Sequence, residues 1–522
     1  MGIPSYFSFI AKNYSRVLEK IKTTQNKENS SKYHNLYLDC NSIVYDAVHG
    51  MTEELSNQSL TEFNKRSLII ERTIEKIKEY IYTIEPSNTV FIAFDGVAPA
   101  AKMNQQKSRR VRSSTLSSLI KNIDNNSKSE WDTTQITPGT IFMNELSKRA
   151  RAVFNNPNEY SLVNLIISPG DESGEGEHKI FEYIRNHPKE HESQSTIIYG
   201  LDADLIMLSI NHLRIVPSIY LYRETPHFIK SISKDIDPDC AYLLNINALS
   251  DIIAGEIGTS QLRVTDYTFI CFFLGNDFLP HFPSINIRTG GIDKMMEAYS
   301  SIVSSCSDGL LKQGVVNWKY VKELVAYLEK NERRYFINEV SKRDRYNKYM
   351  TPFNSQQKEE EDKVASLLLR IDNIPTSERV FEQSIAPALN GWENRYYRLL
   401  FGLNHVTEER KKEICINYLE GLEWVAKYYS VGCPDWEWTY KYHYPPLLQD
   451  LIKYIPSQST VFVPSNESQP VTPVEQLFRV LPKGKSDLLP KEYQQKFNII
   501  HENDRPIFQW AFCRYFWESS VE

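Results

Sequence analysis

The sequence contains few of the residues that mark secreted or fibrous proteins. It has 7 cysteines among 522 residues, scattered without a CxxC pair, and only 20 glycines and 25 prolines. The cysteine number is odd and the spacing fits no zinc site, so we expect reduced thiols in an intracellular protein. The low glycine and proline content excludes collagen-like and low-complexity chains.

Signals that direct a chain to a membrane are also missing. The first residues, MGIPSY, form no signal peptide, and Tyr6 stands where a myristoylation site has Ser or Thr. No apolar run reaches the roughly 18 residues that cross a bilayer. A net charge of −6 argues against coating nucleic acid by bulk charge, although a local basic pocket remains possible. We expect a cytoplasmic monomer without a membrane partner, with the nucleus as the alternative compartment.

Short apolar runs alternate with helical patterns over residues 1–290. Strands are expected at 35–38, 89–94, 162–167 and 196–199, and helices at 71–81 and 139–154. This alternation predicts an α/β fold, with a mainly parallel twisted sheet covered by helices on both faces.

Strand signals fade after residue 277. Helical patterns occupy 291–345 and an aromatic-rich stretch from 392 to 444, and a polar segment, NSQQKEEEDK, lies between them at 354–363. The chain is therefore divided into a first domain at 1–345, a linker or exposed helical segment at 346–385, and a largely helical second region at 386–522.

Acidic residues follow each expected strand. Ligands bind at the carboxyl ends of the strands in an open parallel sheet, so these acids should gather at one edge. One aspartate after a strand is more often a helix cap, but seven together would repel each other and raise their own pKa values. The acidic residues after the strands are Asp39, Asp95, Glu175, Glu177, Asp202 and Asp204, and Asp277 would join them from a later loop.

Divalent cations relieve such repulsion, and ligation by oxygen alone favours Mg²⁺ or Mn²⁺. Two such ions, roughly 3.5–4 Å apart, are the usual apparatus for cleaving a phosphodiester. The sequence therefore predicts a two-metal hydrolase.

A run of basic residues follows Asp95 directly. Lys102, Gln106, Arg109 and Arg110 share one face of a helix, at offsets of 0, 4, 7 and 8. An ordinary charge run would be a solvated helical face. Because this run adjoins an expected metal ligand, we interpret it as a phosphate-binding pocket.

These motifs together resemble the 5′-to-3′ exoribonuclease (Xrn) family, whose fold is similar to PIN and flap nucleases. The most specific segments are FDGVAP with AKMNQQ at 94–106, GEGEHK at 174–179, GLDADL at 200–205 and GNDFLP at 275–280. A second region, WEW at 436–438 through YHYPP at 442–446, is also typical of the family. The resemblance covers nearly the whole chain.

The resemblance implies a processive enzyme of RNA metabolism and messenger-RNA decay that removes mononucleotides from single-stranded RNA with a 5′-monophosphate. It could be coupled to a decapping enzyme. The seven acids would be catalytic and hold two metal ions, and the basic face would bind the 5′-phosphate. Pro99 would lie at the pocket entrance, and Trp436 or Trp438 would stack on the first base. Tyr45 stands where the family commonly has a stacking histidine.

Two other functions remain as alternatives. A structure-specific DNA flap endonuclease shares the acid-rich sheet, and residues 283–295 resemble a remnant of its DNA-binding hairpin. The basic pocket and the aromatic second region suit a threaded single strand better. A non-catalytic RNA-binding scaffold would be expected to lack some of the metal ligands, and none is missing.

Overall fold

The computed structural model describes residues 3, 5–21, 33–57, 59–123, 131–224, 236–237, 240–258, 263–303, 308–356, 363–465 and 468–521. Met1, Gly2 and Pro4 at the start of the chain, the cysteine at position 306 (Cys306), and most of the polar segment at 354–363 lie outside the described residues.

A seven-stranded sheet forms the centre of the first half of the described chain, with the spatial order β1-β7-β6-β5-β2-β3-β4. Strands β2 to β6 run parallel, β7 is antiparallel to β6, and β1 is antiparallel to β7. The strands are β1 (Leu18–Lys20), β2 (Asn35–Asp39), β3 (Thr89–Ala93), β4 (Asn164–Ser168), β5 (Ser195–Tyr199), β6 (Ser218–Glu224) and β7 (Ala241–Asn245).

The sheet confirms the expected α/β class. The four expected strands are β2 to β5, with ends shifted by at most two residues, whereas β1, β6 and β7 were not predicted. Every residue of β2 and β3 is buried, as expected for central parallel strands covered on both faces.

Helices pack on both faces of the sheet. The helices of the described chain are α1 (Tyr6–Asn13), α2 (Asn41–Gly50), α3 (Thr52–Leu55), α4 (Glu62–Ile84), α5 (Ala100–Ile123), α6 (Ile141–Val153), α7 (Gly176–Asn186), α8 (Pro188–His191), α9 (Asp204–His212), α10 (Ile246–Glu256), α11 (Val264–Cys271), α12 (Gly291–Ile302), α13 (Trp318–Gln356), α14 (Lys363–Asp372), α15 (Ile374–Ser377), α16 (Val380–Ile385), α17 (Trp392–Leu400), α18 (Glu408–Ser430), α19 (Leu448–Tyr454), α20 (Pro473–Val480) and α21 (Lys491–Ile500).

Each face of the sheet packs against its own apolar cluster. Leu36 and Leu38 of β2 pack with α2, α4 and α6 on one face, whereas Tyr37 points to the other face, toward α7 and α9. This alternation follows from the two-residue period of a strand. None of the helices in these described ranges has the length and apolar character of a membrane span.

The second half is mostly helical, with two short hairpin-like pairs, β8 (Leu311–Lys312) with β9 (Val315–Val316) and β10 (Phe508–Gln509) with β11 (Ser520–Val521). Helix α13 passes residue 345, the expected end of the first domain, without a break and continues to Gln356, and α14 to α16 follow in the rest of the described part of the expected linker. The domain division stays a prediction.

Helix α18 joins the second half to the first. It begins at the Thr407 cap, whose hydroxyl oxygen accepts a hydrogen bond from the Arg410 amide. Its apolar residues, including Leu422 and Val425, belong to the same buried cluster as Leu205 of α9. The chain after α18 is irregular up to α19, so the expected helical character up to residue 444 is wrong for its last part. One glycine, Gly432, and three prolines, Pro434, Pro445 and Pro446, disfavour a helix in that stretch.

Candidate active site

The carboxyl ends of the parallel strands bring the predicted acids to one edge of the sheet. Asp39 ends β2, and Asp95 is the second residue after β3. Glu175 caps α7, which follows β4, and Glu177 lies in the first turn of that helix. Asp202 lies in the turn after β5, Asp204 begins α9, and Asp277 follows a 3-10 turn at Phe272–Leu274.

Oxygen atoms from different strands come close together at this edge. One oxygen each of Asp39, Asp95 and Glu177 lie within 4.8 Å of one another, and Glu175, Glu177 and His178 form a second such group. Among the described residues, Oδ1 of Asp39 and Oδ1 of Asp204 are buried without a hydrogen-bond partner. Buried oxygens without donors fit a bound cation, because a buried acceptor left unsatisfied costs about 1–3 kcal/mol.

Electrostatics supports the same interpretation. Burial, followed by the neighbouring charge of Asp95, raises the pKa of Asp39 well above its usual range. Burial and then Glu175 do the same to the pKa of Glu177, and burial with the charge of Asp277 raises the pKa of Asp204 to about 7. The carboxylates therefore destabilise each other's charged forms, and a divalent cation would relieve this repulsion.

The donor set fits Mg²⁺ or Mn²⁺, since all seven predicted ligands are carboxylates. Gly176 leaves room beside the carboxylates, because a Cβ atom at this position would lie 2.5 Å from Oδ1 of Asp39. His178 is an additional residue at this edge that was not predicted as part of the site. Burial lowers the pKa of His178 well below its usual range, and its Nδ1 has no partner among the described residues.

Lys102, the first residue of the predicted phosphate pocket, lies among the carboxylates. Its Nζ is 2.6 Å from Oε1 of Glu175 and 3.0 Å from Oδ2 of Asp277. Burial disfavours the charge of Lys102, but Glu175 and Asp277 outweigh that effect and raise the pKa of the ammonium well above its usual range. Lys102 is thus a permanent cation at the boundary between the acidic edge and α5.

The other predicted pocket residues continue along the same helix. Oε1 of Gln106 faces Nε2 of Gln476 at 3.5 Å, and Nη2 of Arg110 donates to Oγ1 of Thr137 at 2.8 Å. Arg109 is half-buried. Burial lowers the pKa of Arg110 to about 10, which still leaves it charged at neutral pH, and its Nη1 has no partner among the described residues.

Gln476 of α20 was missed by sequence reasoning. It is fully buried, and its Oε1 accepts a hydrogen bond of 2.8 Å from the amide of Ala98, just before Pro99 and α5. A lone glutamine carries no signal of this role in the sequence. It closes the start of the basic helix from the second half of the chain.

Several neighbours hold the acids in place. Nδ2 of Asn41 and the amide of Gly176 donate to the two oxygens of Asp95, at 2.6 and 2.7 Å. Lys179 bridges the carbonyl oxygens of Phe94 and Pro169, both at 2.8 Å. Lys179 lies within the quoted GEGEHK motif and Asn41 lies two residues after Asp39, so their positions in the sequence could have identified them.

Buried Arg223 on β6 orients the turn that carries Asp202. Its Nη1 donates to the carbonyl oxygens of Gly200 and Asp202, both at 3.1 Å. Burial lowers the pKa of Arg223 to about 10. This residue was missed because β6 itself was not predicted.

Helix α18 reaches the acidic edge directly. The hydroxyl of Tyr428 donates to Oε2 of Glu175 at 2.6 Å, and its ring stacks on His178 with centroids 3.6 Å apart. Tyrosine enrichment in the second region gave no indication of which ring would approach the acids.

The two candidate stacking tryptophans differ in environment. Trp438 is 9% exposed and stacks on Trp424, with centroids 5.4 Å apart. Trp436 is half-buried, and its carbonyl oxygen accepts a 2.8 Å hydrogen bond from the amide of Ala100, next to Pro99. Tyr45 is half-buried on α2, the helix that follows Asp39.

A cavity of about 1070 Å³ opens beside Asp277, between α5 and the C-terminal segment. Exposed basic residues line it, and they are joined by aromatic side chains such as Tyr440 and Tyr442. The basic residues are Lys107, Lys441, Lys483 and Arg505.

Two family models match the sequence. The XRN 5′-3′ exonuclease N-terminus matches residues 1–225, and the Xrn1 helical domain matches residues 261–386 and 376–516. Among curated proteins, 5′-3′ exoribonuclease 1 of Schizosaccharomyces pombe is 28% identical over 98% of this chain, and that of Saccharomyces cerevisiae is 26% identical over 97%. The 5′-3′ exoribonuclease 2 of Gallus gallus is 26% identical over 95%. The chain spans 46%, 40% and 65% of these three relatives.

Proposed function

This chain belongs to the XRN 5′-3′ exonuclease family, and from that premise we propose that it is a processive 5′-to-3′ exoribonuclease. The proposed substrate is single-stranded RNA with a 5′-monophosphate, and the products are mononucleotides. The observation that carries the proposal is Lys102, which joins the acidic edge to the basic face of α5 through Glu175 and Asp277.

The seven carboxylates suit a hydrolytic site. Two divalent cations bound there would supply an activated water and stabilise the leaving oxygen of the phosphodiester. Asp39, Asp95 and Glu177 would form one part of the ligand set, because their oxygens lie within 4.8 Å of one another. The remaining ligands would come from Glu175, Asp202, Asp204 and Asp277.

The basic face of α5 would bind the terminal phosphate. Nη1 of Arg110 is buried and without a partner among the described residues, so it can donate to a phosphate oxygen. Gln476 contacts Gln106, and Thr137 contacts Arg110. These two contacts limit the space around the basic face. Such a pocket would admit a monophosphate and exclude a cap.

Aromatic rings would hold the first base. Trp436 is the better candidate of the two tryptophans, because Trp438 is stacked in the core on Trp424. Tyr45 would supply the second ring, and stacking of this kind tolerates every base. The basic and aromatic lining of the cavity beside Asp277 supports a route for the rest of the single strand.

A role in messenger-RNA decay, coupling to a decapping enzyme, a cytoplasmic location and a monomeric state complete the proposal. The requirement for a 5′-monophosphate makes a decapping reaction the natural source of substrate. Neither alternative function has a specific observation in its favour. The segment 283–295 consists of two 3-10 turns and the start of α12, with Lys294 bound to the Ser284 carbonyl oxygen at 2.9 Å.

The proposal is tested by incubating the protein and Mg²⁺ with one RNA sequence that carries a 5′-monophosphate, a 5′-hydroxyl or a cap. We expect mononucleotides from the first RNA and little product from the other two. Asp202→Asn is the matched inactive control and should still bind RNA, because α5 is unchanged. Cleavage within a flapped DNA duplex would favour the endonuclease, and binding without cleavage would favour the scaffold.

A further inference from the structure

We propose that Tyr428 of α18 is a positioning residue that fixes Glu175 for metal binding, so that the helical half completes the metal centre of the sheet. This inference rests on the proposed function, because it concerns the same carboxylates. It adds a second-half residue to a site whose predicted ligands all lie in the first half.

The contact is specific for one carboxylate. Oε1 of Glu175 lies 2.6 Å from Nζ of Lys102, and Oε2 accepts the Tyr428 hydroxyl at 2.6 Å. Glu175 is 3% exposed, so its carboxylate depends mainly on protein donors. Two donors on opposite oxygens fix both the position and the rotation of the carboxylate plane. The remaining lone pairs then point in fixed directions, as a cation site requires.

Tyr428 is itself held rigidly. Its ring is stacked between His178, at 3.6 Å, and Trp424, at 4.7 Å, and the edge of Phe278 meets it at 5.5 Å. The indole of Trp424 donates to the carbonyl oxygen of Asp435 at 2.8 Å. The hydroxyl of Tyr428 therefore has little freedom to leave Glu175.

Removing this hydroxyl should weaken the metal centre and leave the fold intact. Tyr428→Phe keeps the stacked ring and deletes a single donor. Loss of a group that orients a metal ligand typically costs roughly 10- to 100-fold in metal affinity or activity. We expect a loss of that size for Mn²⁺ binding.

A matched control is available elsewhere in the helical half. Tyr396 is fully buried, and its hydroxyl donates to the carbonyl oxygen of Pro445 at 2.8 Å. Tyr396→Phe makes the same chemical change at a site that contacts no predicted metal ligand. Any stability effect of losing a buried tyrosine hydroxyl should appear in both variants, and the change in metal affinity only in Tyr428→Phe.

The experiment measures Mn²⁺ binding to the full chain by titration calorimetry. Thermal midpoints are measured as well, once in chelator and once in Mg²⁺ without chelator. The inference predicts weaker Mn²⁺ binding for Tyr428→Phe and wild-type binding for Tyr396→Phe. Binding by Tyr428→Phe within twofold of wild type would overturn it, as would a wild-type protein that binds no Mn²⁺.

A double variant covers the case in which Tyr428→Phe also lowers stability. If Tyr428 acts through Glu175, adding Tyr428→Phe to Glu175→Gln should cause no further loss of Mn²⁺ affinity. Additive losses would overturn the inference. Since binding is measured without RNA, failure to release mononucleotides would reject the proposed function and leave this inference standing.

Discussion

Replacing Asp204 by asparagine should stabilise the metal-free protein, and more so at alkaline than at acidic pH. Burial and the charge of Asp277 raise the pKa of Asp204 from 3.8 to about 7. The folded state therefore holds this proton more tightly than the unfolded state does, and ionisation at high pH opposes folding. Asparagine is nearly isosteric and does not ionise.

The magnitude follows from the difference of about 3 pKa units. One unit corresponds to about 1.4 kcal/mol, so ionising Asp204 costs about 4 kcal/mol at pH 8. At pH 5 the native carboxyl is protonated while the unfolded one is mostly ionised, and the cost is about 2 kcal/mol. The gain from Asp204→Asn should thus grow by about 2 kcal/mol between these two pH values.

Urea unfolding in chelator, followed by tryptophan fluorescence at pH 5 and pH 8, measures this gain. Asp132→Asn is the control of opposite sign. Burial acts to raise the pKa of Asp132, but its hydrogen bonds with Thr134 and Lys485 outweigh burial and lower it. That variant should lose stability by the same amount at pH 5 and pH 8, because both lie above the pKa of Asp132 in the folded and the unfolded state, and the loss should shrink only below pH 3.8. An Asp204→Asn protein that is destabilised equally at both pH values would refute the electrostatic reasoning and make Asp204 a structural cap.

Three further outcomes are expected. Arg110→Ala should reduce the preference for 5′-monophosphate over 5′-hydroxyl RNA roughly 10- to 150-fold, measured as the ratio of the two kcat/KM values. An unchanged ratio would reject the phosphate pocket. Arg112→Ala is the control, since Arg112 donates to the Trp517 carbonyl oxygen instead. Tyr45→Ala should shorten processive runs, because stacking contributes about 1–3 kcal/mol per base, whereas Tyr45→His should preserve them. Equal run lengths for the wild type and both variants would make Tyr45 a packing residue. Mg²⁺ at a hundredfold excess over Kd should add about 2.7 kcal/mol to the free energy of unfolding. Ca²⁺ should stabilise the protein comparably but support little cleavage. A thermal midpoint that changes with neither ion would argue against a metal centre.

The central fold could be predicted from the sequence because its strands are continuous apolar runs. Strands β2 and β3 are buried on both faces, so every position is selected for apolar or small polar side chains. Strand β6 reads SIYLYRE and β7 reads AYLLN. Their apolar runs, IYLY and AYLL, are as long as those of the predicted strands β2 and β5, so the sequence does carry a signal for them that the prediction did not use.

The site could be predicted in part for a similar reason. Asp39 and Asp95 lie at or just after the ends of their strands, and four more acids lie in the turns and helix starts that follow β4 and β5, so local sequence places these six at the edge. Asp277 comes from a later loop. The contacts that orient the site come from distant elements. Tyr428 on α18 reaches Glu175, Arg223 on β6 holds the turn of Asp202, and Gln476 on α20 contacts Gln106 and the Ala98 amide. Their types, an aromatic ring, a guanidinium and an amide, are common in ordinary cores and surfaces, so only the packed structure shows that they approach the site.

The contacts between the two halves also determine when the site can form during synthesis. The bond from Tyr428 to Glu175 joins residues 253 apart in the chain, and that from Ala98 to Gln476 joins residues 378 apart. At about 5–20 residues per second, roughly 10 to 50 s separate the translation of Glu175 from that of Tyr428. The sheet can collapse in that interval, but its acids lack the partners that orient them. A nascent chain therefore carries an unfinished centre until its helical half has emerged.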